Sequence, residues 1–284
     1  MNDIERYWEE HTVNSTPFTS KEESERYLLW RSDIYPKMKE LMDLYGDRGG
    51  QTVLDYGCGP GDDTIGYLME GGASKVFSLD ISSKALGLLE DRLKLYGIDS
   101  KRVELIKIQE GESIPIDVGS IDHVHSSGVI HHSSSPADVL KELYRVLRPS
   151  GTGVVMVYNR ESVWFHLFTV YERMIKKGHF EGLSPEEAFS RTTDGENCPV
   201  SKPFVPKEFI SLCRNVGFDA EFAGGYISER EMEMLRYKYM DALKDERLPE
   251  ESREFLDSLQ FSGRGFPMKD KLFAGIGGVY RLRK

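Results

Sequence analysis

The sequence predicts an α/β fold in which a doubly wound, mostly parallel sheet is covered by helices on both faces. Between residues 52 and 158, short apolar runs alternate with helical patterns, which is typical of parallel strands joined by helices. A glycine-rich turn follows the first run. The chain has 284 residues, 39% of them hydrophobic, which is enough for one such domain with additional helices.

The first fifty residues are polar and predict a helical cap that precedes the sheet. Ser20 is a typical N-cap, and acidic residues follow it in the first turn. Pro36 should kink or restart this helix, which we expect to continue over 37–45. We therefore divide the chain into an N-terminal helical cap, 1–50, and a core, 51–284.

Within the core, the apolar runs predict strands and the patterns between them predict helices. The segment 110–120 is too short and too rich in glycine and proline for a full helix. Two helical insertions, at about 161–205 and 228–262, could roof a ligand crevice. The predicted strands are 52–56, 75–79, 103–108, 121–125, 153–158, 220–226 and 272–282, and the predicted helices are 83–95, 136–147, 161–177, 184–191, 206–216, 229–243 and 250–259.

The clearest motif is Asp55-Tyr56-Gly57-Cys58-Gly59-Pro60-Gly61, where a strand enters a glycine turn. Glycines there let the backbone approach a ligand closely. A dinucleotide is one candidate ligand, but Asp62 and Asp63 start the next helix, where they would repel a pyrophosphate. These carboxylates do not conflict with S-adenosylmethionine, which has no phosphate and carries a sulfonium and an ammonium.

This motif resembles the first motif of class I S-adenosylmethionine-dependent methyltransferases. Four further segments resemble later motifs of the family and occur in the family's order: 77–80, 110–115, 121–124 and 143–151. The resemblance implies a Rossmann-like sheet of seven strands with an antiparallel last strand. It also implies S-adenosylmethionine as the cofactor.

The resemblance also implies which residues bind the cofactor. Asp80, at the end of the second strand, would hold the ribose hydroxyls, and Glu110 would stand where the family has an aspartate near the adenine. Asp55 contacts either the ligand or only the backbone amides of the turn. Arg31 either pairs with the cofactor carboxylate, if its helix folds over the crevice, or is a solvated surface arginine. The full predicted set is Arg31, Asp55, Gly57, Cys58, Gly59, Gly61, Asp80, Ile81, Glu110, Gly111 and Ser127.

Methyl transfer from a sulfonium is an in-line displacement with a neutral thioether as leaving group, so no metal is required. The enzyme aligns the acceptor, excludes water and, for an alcohol, removes a proton. His131 and His132 follow the fourth strand, at the sheet edge where ligands bind, and they are the predicted base candidates. Alternatively, one of them caps the next helix or packs under the cofactor.

Four residues at and after the end of the fifth strand, Tyr158, Asn159, Arg160 and Trp164, are predicted to bind the acceptor. Alternatively, the aromatic residues there form the core between insertion and sheet. We expect methyl transfer to a hydroxyl of a sugar, glycan or other metabolite. The alternatives are N- or C-methylation of a small metabolite and a catalytically silent cofactor-binding module.

The formal net charge of −10 disfavours a nucleic-acid partner, because binding to phosphates depends on Lys and Arg. No apolar stretch is long enough to span a bilayer, so we expect no membrane insertion, and the acidic N-terminus shows no secretory signal. Three cysteines, Cys58, Cys198 and Cys213, lack metal-ligand spacing and indicate reduced thiols. We therefore expect a cytoplasmic protein with a small-molecule acceptor, and we leave the oligomeric state open.

Overall fold

A mixed sheet forms the centre of the computed structural model, which describes residues 2–284. The strands in these residues are β1 (Thr52–Tyr56), β2 (Lys75–Asp80), β3 (Val103–Lys107), β4 (Ile121–Ser127), β5 (Leu147–Tyr158), β6 (Asp219–Tyr226), β7 (Gln260–Phe261), β8 (Pro267–Lys269), β9 (Leu272–Phe273) and β10 (Gly277–Arg283). Seven of them form the main sheet, in the order β3-β2-β1-β4-β5-β10-β6. Strand β10 is antiparallel to both of its neighbours, and the pairs among β1–β5 are parallel. The predicted fold class is confirmed.

Helices surround this sheet and also build the cap and the insertions. They are α1 (Asp3–Glu10), α2 (Lys21–Ile34), α3 (Met38–Leu41), α4 (Asp62–Met69), α5 (Ser83–Leu95), α6 (Pro136–Val146), α7 (Pro185–Thr193), α8 (Pro206–Val216), α9 (Glu229–Lys244) and α10 (Glu250–Asp257), with a π-helical segment at Trp164–Lys176. Within residues 2–284, no helix is long and apolar enough to cross a bilayer.

Three local predictions need correction. The helix expected over 37–45 is limited to α3, because Asp43 adopts a left-handed backbone conformation. The last predicted strand, 272–282, is two strands: β9 belongs to a small sheet with β7 and β8, and β10 to the main sheet. Helix α1 was not predicted, although Asn2 and Glu5 form a capping box at its start.

The order of the strands places a crevice at the carboxyl ends of β1 and β4, where connections leave in opposite directions along the sheet. Gly57 follows β1 with a φ of +75°, and a Cβ there would lie 2.2 Å from a methyl carbon of Val129. Only glycine fits such a turn without a shift of its neighbours. The chain can therefore turn sharply beside the crevice.

The cap and the insertions lie on the crevice side of the sheet. Ser24, on α2, accepts a hydrogen bond from Nε of the buried Arg92 on α5, at 2.8 Å. The insertions share their own apolar core, in which α9 and α10 pack against the π-helical segment through residues such as Phe165, Phe255 and Leu256. The division of the chain into a cap, 1–50, and a core, 51–284, stays a prediction. Met1, the first residue of the predicted cap, lies outside the described residues.

Candidate active site

A cavity of about 570 Å³ lies over the carboxyl ends of β1 and β4, within the usual size range of small-molecule sites. The predicted site residues that line it are Arg31, Asp55, Gly57, Cys58, Gly59, Asp80, Ile81, Glu110, Ser127, His132, Tyr158 and Trp164. Among the described residues, the predicted site residues that do not line it are Gly61, Gly111, His131, Asn159 and Arg160.

Asp80 ends β2 and closes the glycine turn. Its carboxylate accepts hydrogen bonds from the backbone amides of Gly59 and Ser82, each at 2.8 Å. Burial raises the pKa of Asp80. Each carboxylate oxygen has a second lone pair, which leaves capacity for two hydroxyl groups from the cavity.

The glycines of the turn have different roles. A Cβ on Gly59, whose φ is +52°, would meet no atom within 4 Å, and Gly59 lines the cavity. A Cβ on Gly61 would lie 2.2 Å from Leu89, so Gly61 is needed for helix packing rather than for ligand contact. Gly111 has a φ of +81° and forms a turn beside the cavity.

Asp55 is buried beneath this turn. Its carboxylate accepts a hydrogen bond from Thr64 Oγ1 at 2.7 Å, and Thr64 Oγ1 also lies 2.8 Å from Ser78 Oγ. Burial raises the pKa of Asp55 to about 6. The side chain thus bonds to a hydroxyl on α4 and not, as one alternative had it, to backbone amides of the turn.

Arg31 lines the cavity and forms a bidentate ion pair with Asp63, with Nη1 2.8 Å from Oδ1 and Nη2 3.1 Å from Oδ2. His125 Nε2 donates to the same carboxylate at 2.9 Å, and the Tyr45 hydroxyl lies 3.2 Å from it. Burial acts to raise the pKa of Asp63, but Arg31 and His125 hold it well below its usual value.

This cluster corrects part of the sequence argument. The sequence predicts that the carboxylates of Asp62 and Asp63 repel a phosphate, but in the structure Asp63 pairs with Arg31, and Asp62 pairs with the buried Arg92. Sequence reasoning also missed His125. Its signal was its position at the end of the predicted strand 121–125, at the edge of the sheet where ligands bind.

Glu110 lines the cavity together with the glycine turn and Asp80, and we call this part of the cavity the cofactor side. One oxygen of Glu110 accepts hydrogen bonds from Ser133 Oγ and from the Ser134 amide, both at 2.8 Å. Cys58 also lines the cavity, and burial raises the pKa of its thiol well above the usual value, so it stays a protonated thiol at neutral pH.

His132 reaches the cavity and His131 does not. His132 Nδ1 donates to the carbonyl oxygen of Val200 at 2.7 Å, which leaves Nε2 as the acceptor nitrogen. His131 is buried, and its Nδ1 accepts from the Tyr158 amide at 3.3 Å. Burial lowers the pKa of both rings, that of His131 more strongly. The geometry therefore favours His132 as the base.

Asp194, which sequence reasoning missed, lies opposite His132. Its carboxylate accepts from the Tyr158 hydroxyl at 2.8 Å and from Ser201 Oγ at 2.7 Å, and its Oδ1 lies 3.9 Å from His132 Nε2. The Trp8 ring lies 4.7 Å from the His132 ring. Both Trp8 and Asp194 line the cavity. We call the end formed by Trp8, His132 and Asp194 the acceptor side, because it holds the predicted base.

Two predicted acceptor residues have structural contacts instead. The amide of Asn159 donates to the carbonyl oxygens of Glu161 and Gly275. Arg160 forms ion pairs with Glu186 of α7 and Glu251 of α10. The structure thus brings Tyr158 and Trp164 to the cavity. Arg160 links the two insertions, and Asn159 holds backbone carbonyls beside the end of β5.

Comparison with known proteins identifies the domain. A sequence model of the methyltransferase-domain family matches residues 53–151. The chain is 32% identical over 124 residues to a demethylmenaquinone methyltransferase of Lactococcus lactis, covering 43% of this chain and 45% of that protein. It is 36% identical over 122 residues to a tRNA U34 carboxymethyltransferase of Shewanella sediminis, covering 43% and 35%. It is 27% identical over 184 residues to ltbC of Aspergillus luteorubrus, named as a methyltransferase, covering 62% and 60%.

Solved structures agree on the fold. A methyltransferase dependent on S-adenosylmethionine from Thermotoga maritima superposes with a TM-score of 0.54 at 16% identity, covering 99% of both chains. Another from Mesorhizobium loti superposes with a TM-score of 0.54 at 17% identity, covering 87% of this chain and 97% of that one. Residues 53–151 thus carry a methyltransferase domain, and the chain shares the fold of these two solved structures. It spans less than two thirds of the length of each of the three curated relatives above.

Proposed function

We propose that this protein transfers the methyl group of S-adenosylmethionine to a hydroxyl of a small-molecule acceptor, such as a sugar, a glycan or another metabolite. The observation that carries the proposal is His132, whose Nδ1–H is fixed by Val200 and whose Nε2 is left to accept a proton beside the cavity. A base at this point is what an alcohol acceptor needs in the transition state.

The residues of the cofactor side fit S-adenosylmethionine. The position of a Cβ on Gly59 is open, so the glycine backbone can touch a ligand directly. Asp80 would bind the ribose hydroxyls, Glu110 the adenine amino group, and Arg31 the carboxylate of the methionine portion. The cofactor supplies an electrophilic methyl group with a neutral thioether as leaving group.

On the acceptor side, His132 would take the hydroxyl proton at Nε2 as the new bond forms. Asp194, 3.9 Å from that nitrogen, would stabilise the resulting imidazolium. Trp8 and Trp164 would orient the acceptor and exclude water from the site. Exclusion of water would also prevent hydrolysis of the cofactor in place of methyl transfer.

Two other functions belong to different classes. Methylation of a neutral amine would need no base at His132 in the transition state. Methylation of carbon would remove a proton from carbon instead of from a hydroxyl, and a silent cofactor-binding module would bind the cofactor without turnover. A small-molecule acceptor is favoured over a nucleic acid because the formal net charge is −10. The cysteines of the described residues are free, which supports a reducing, cytoplasmic location.

The test begins with a thermal-shift screen of sugars, quinols and amines in the presence of S-adenosylhomocysteine, followed by turnover of the best acceptor. His132→Ala should lower turnover by roughly 10²- to 10⁴-fold, the range for a positioned base, with little change in cofactor affinity. His131→Gln is the matched control and should retain most of the turnover. Near-normal turnover of His132→Ala would contradict the base assignment.

The pH profile gives a second readout of the same base. Burial lowers the pKa of His132, and the base is active only when neutral. The rate should therefore rise with pH through an apparent pKa below the usual imidazole value and then stay level through neutral pH. A rate that rises only above pH 8, or a profile unchanged in His132→Ala, would count against the assignment.

A further inference from the structure

We propose that the acceptor carries a protonated amine, next to its reacting hydroxyl, that forms an ion pair with Asp194. This inference rests on the proposed function and narrows its substrate class to amino alcohols, including amino sugars. The observations behind it are the unpaired charge of Asp194, the aromatic walls around it and its distance from His132.

Asp194 is a carboxylate without a cationic partner at one end of the cavity. In the part of the chain that the structure describes, no Lys or Arg forms an ion pair with it, and its side chain is 13% exposed. Its partners are hydroxyls, those of Tyr158 and Ser201. The neighbouring His132 is neutral at pH 7, because burial lowers its pKa.

The other carboxylates that line the cavity have partners in the protein or an expected partner in the cofactor. Asp62 and Asp63 pair with arginines, Asp55 lies beneath the glycine turn and accepts a hydrogen bond from Thr64, and Asp80 and Glu110 lie on the cofactor side, where the adenosine would use them. Asp194 alone among these lies on the acceptor side with a charge to offset. A buried carboxylate is costly unless it is paired, so a cation from the acceptor would complete this site.

Aromatic side chains surround the same space. Trp8 lies 4.7 Å from the His132 ring, and Trp164 Nε1 donates to Thr193, the residue before Asp194, at 3.1 Å. Tyr35 and Tyr226 line the cavity as well. Faces of aromatic rings attract cations, so these walls and the carboxylate favour the same kind of ligand.

The distance between the two polar groups sets the chemistry. Asp194 Oδ1 lies 3.9 Å from His132 Nε2, a separation short enough for an ammonium on Asp194 and a hydroxyl on His132 to lie on neighbouring carbons of one acceptor. In the reaction the hydroxyl oxygen bonds to the methyl carbon, the carbon–sulfur bond breaks, and its electron pair stays on sulfur. The hydroxyl proton passes to His132 Nε2, and the ammonium is unchanged.

The test compares two probes that differ only in the cationic group, trans-2-aminocyclohexanol and trans-1,2-cyclohexanediol. Their binding is measured by calorimetry to the full chain with S-adenosylhomocysteine present. The wild type should bind the amino alcohol at least about tenfold more tightly than the diol, the scale of one charge-assisted hydrogen bond. Asp194→Asn should bind both probes alike, and Asp138→Asn, an equal change of charge on the exposed surface of α6, should keep the preference.

A measurement on the wild type alone covers the case in which Asp194→Asn fails to fold. The preference for the amino alcohol should disappear as the pH rises above the pKa of its amine. Equal binding of both probes by the wild type, binding of neither, or a preference that survives in folded Asp194→Asn would overturn the inference. Failure of the proposed function looks different: the amine would bind selectively, yet no acceptor would gain a methyl group on oxygen.

Discussion

Replacement of Arg31 by Met tests whether the cap is held to the sheet by a buried ion pair. The change removes both hydrogen bonds to Asp63, at 2.8 and 3.1 Å, and the two side chains are only 15% and 9% exposed. Loss of one partner from a buried pair costs about 3–5 kcal/mol. Because His125 and Tyr45 still hold the carboxylate, we expect the lower end, about 3 kcal/mol.

The assay is urea unfolding of the cofactor-free protein, with Arg31→Met, Asp63→Asn and the double variant. If the two side chains act as a pair, the double variant should lose less stability than the sum of the single variants, by about 2 kcal/mol. Lys94→Met is the control, because Lys94 pairs with Asp91 on the exposed surface; its unfolding free energy should change little. Additive losses from Arg31→Met and Asp63→Asn would refute the reasoning.

The same variants give a pH test whose sign follows from Asp63. Its folded-state pKa is held below the usual value, so the pair contributes stability that is complete above the ordinary carboxyl pKa and is lost as the pH falls toward the folded-state pKa. The difference in unfolding free energy between wild type and Arg31→Met should therefore shrink on acidification. A difference that grows as the pH falls would contradict it.

The remaining predictions concern the cofactor side and the cap. Asp80→Ala should weaken S-adenosylhomocysteine binding by about 3 kcal/mol, the scale of two hydrogen bonds to a charged group, and an unchanged dissociation constant in calorimetry would remove Asp80 from the site. Gly59→Ala should cost more free energy of S-adenosylhomocysteine binding than free energy of unfolding, because its Cβ would enter open space. A larger loss in unfolding free energy than in binding free energy would show that the ligand does not occupy this space. Hydrogen exchange should show α1 and α2 protected by the ligand and α9 and α10 little changed, and equal protection of all four would contradict this division.

The fold and the cofactor side could be predicted from sequence because their signals are local. Strands β1 and β2 are short runs rich in apolar residues, and the turn at Gly57 and Gly59 needs residues without a side chain within a few positions of β1. Asp80 belongs to the same kind of signal, since it ends the strand beside that turn. Such features depend on residues that are close in the sequence, so they can be predicted without knowledge of tertiary contacts.

The acceptor side could not be predicted in the same way, because distant segments of the chain build it. Trp8 comes from α1, His132 follows β4, and Asp194 follows α7. The position after the fourth strand indicates His132, but neither Trp8 nor Asp194 has a sequence neighbour that indicates a role. Asn159 and Arg160 have a suitable position at the end of β5, yet their side chains turn to backbone carbonyls and to glutamates of the insertions.

The contacts of α1 explain why the acceptor side depends on the cap. The Tyr7 hydroxyl donates to the main-chain oxygen of Asp194, and Thr12 Oγ1 lies 3.3 Å from Ser82 Oγ at the start of α5. Helix α1 and the residues just after it therefore join the first insertion to the start of α5. Val13 and Trp30 line the cavity and are 65% and 51% exposed, so it opens to solvent beside them. Since Trp8 lies on the same helix as Tyr7, a movement of α1 that widens this opening also draws an aromatic wall away from His132. We therefore predict that entry of the acceptor and assembly of the site are coupled through this helix.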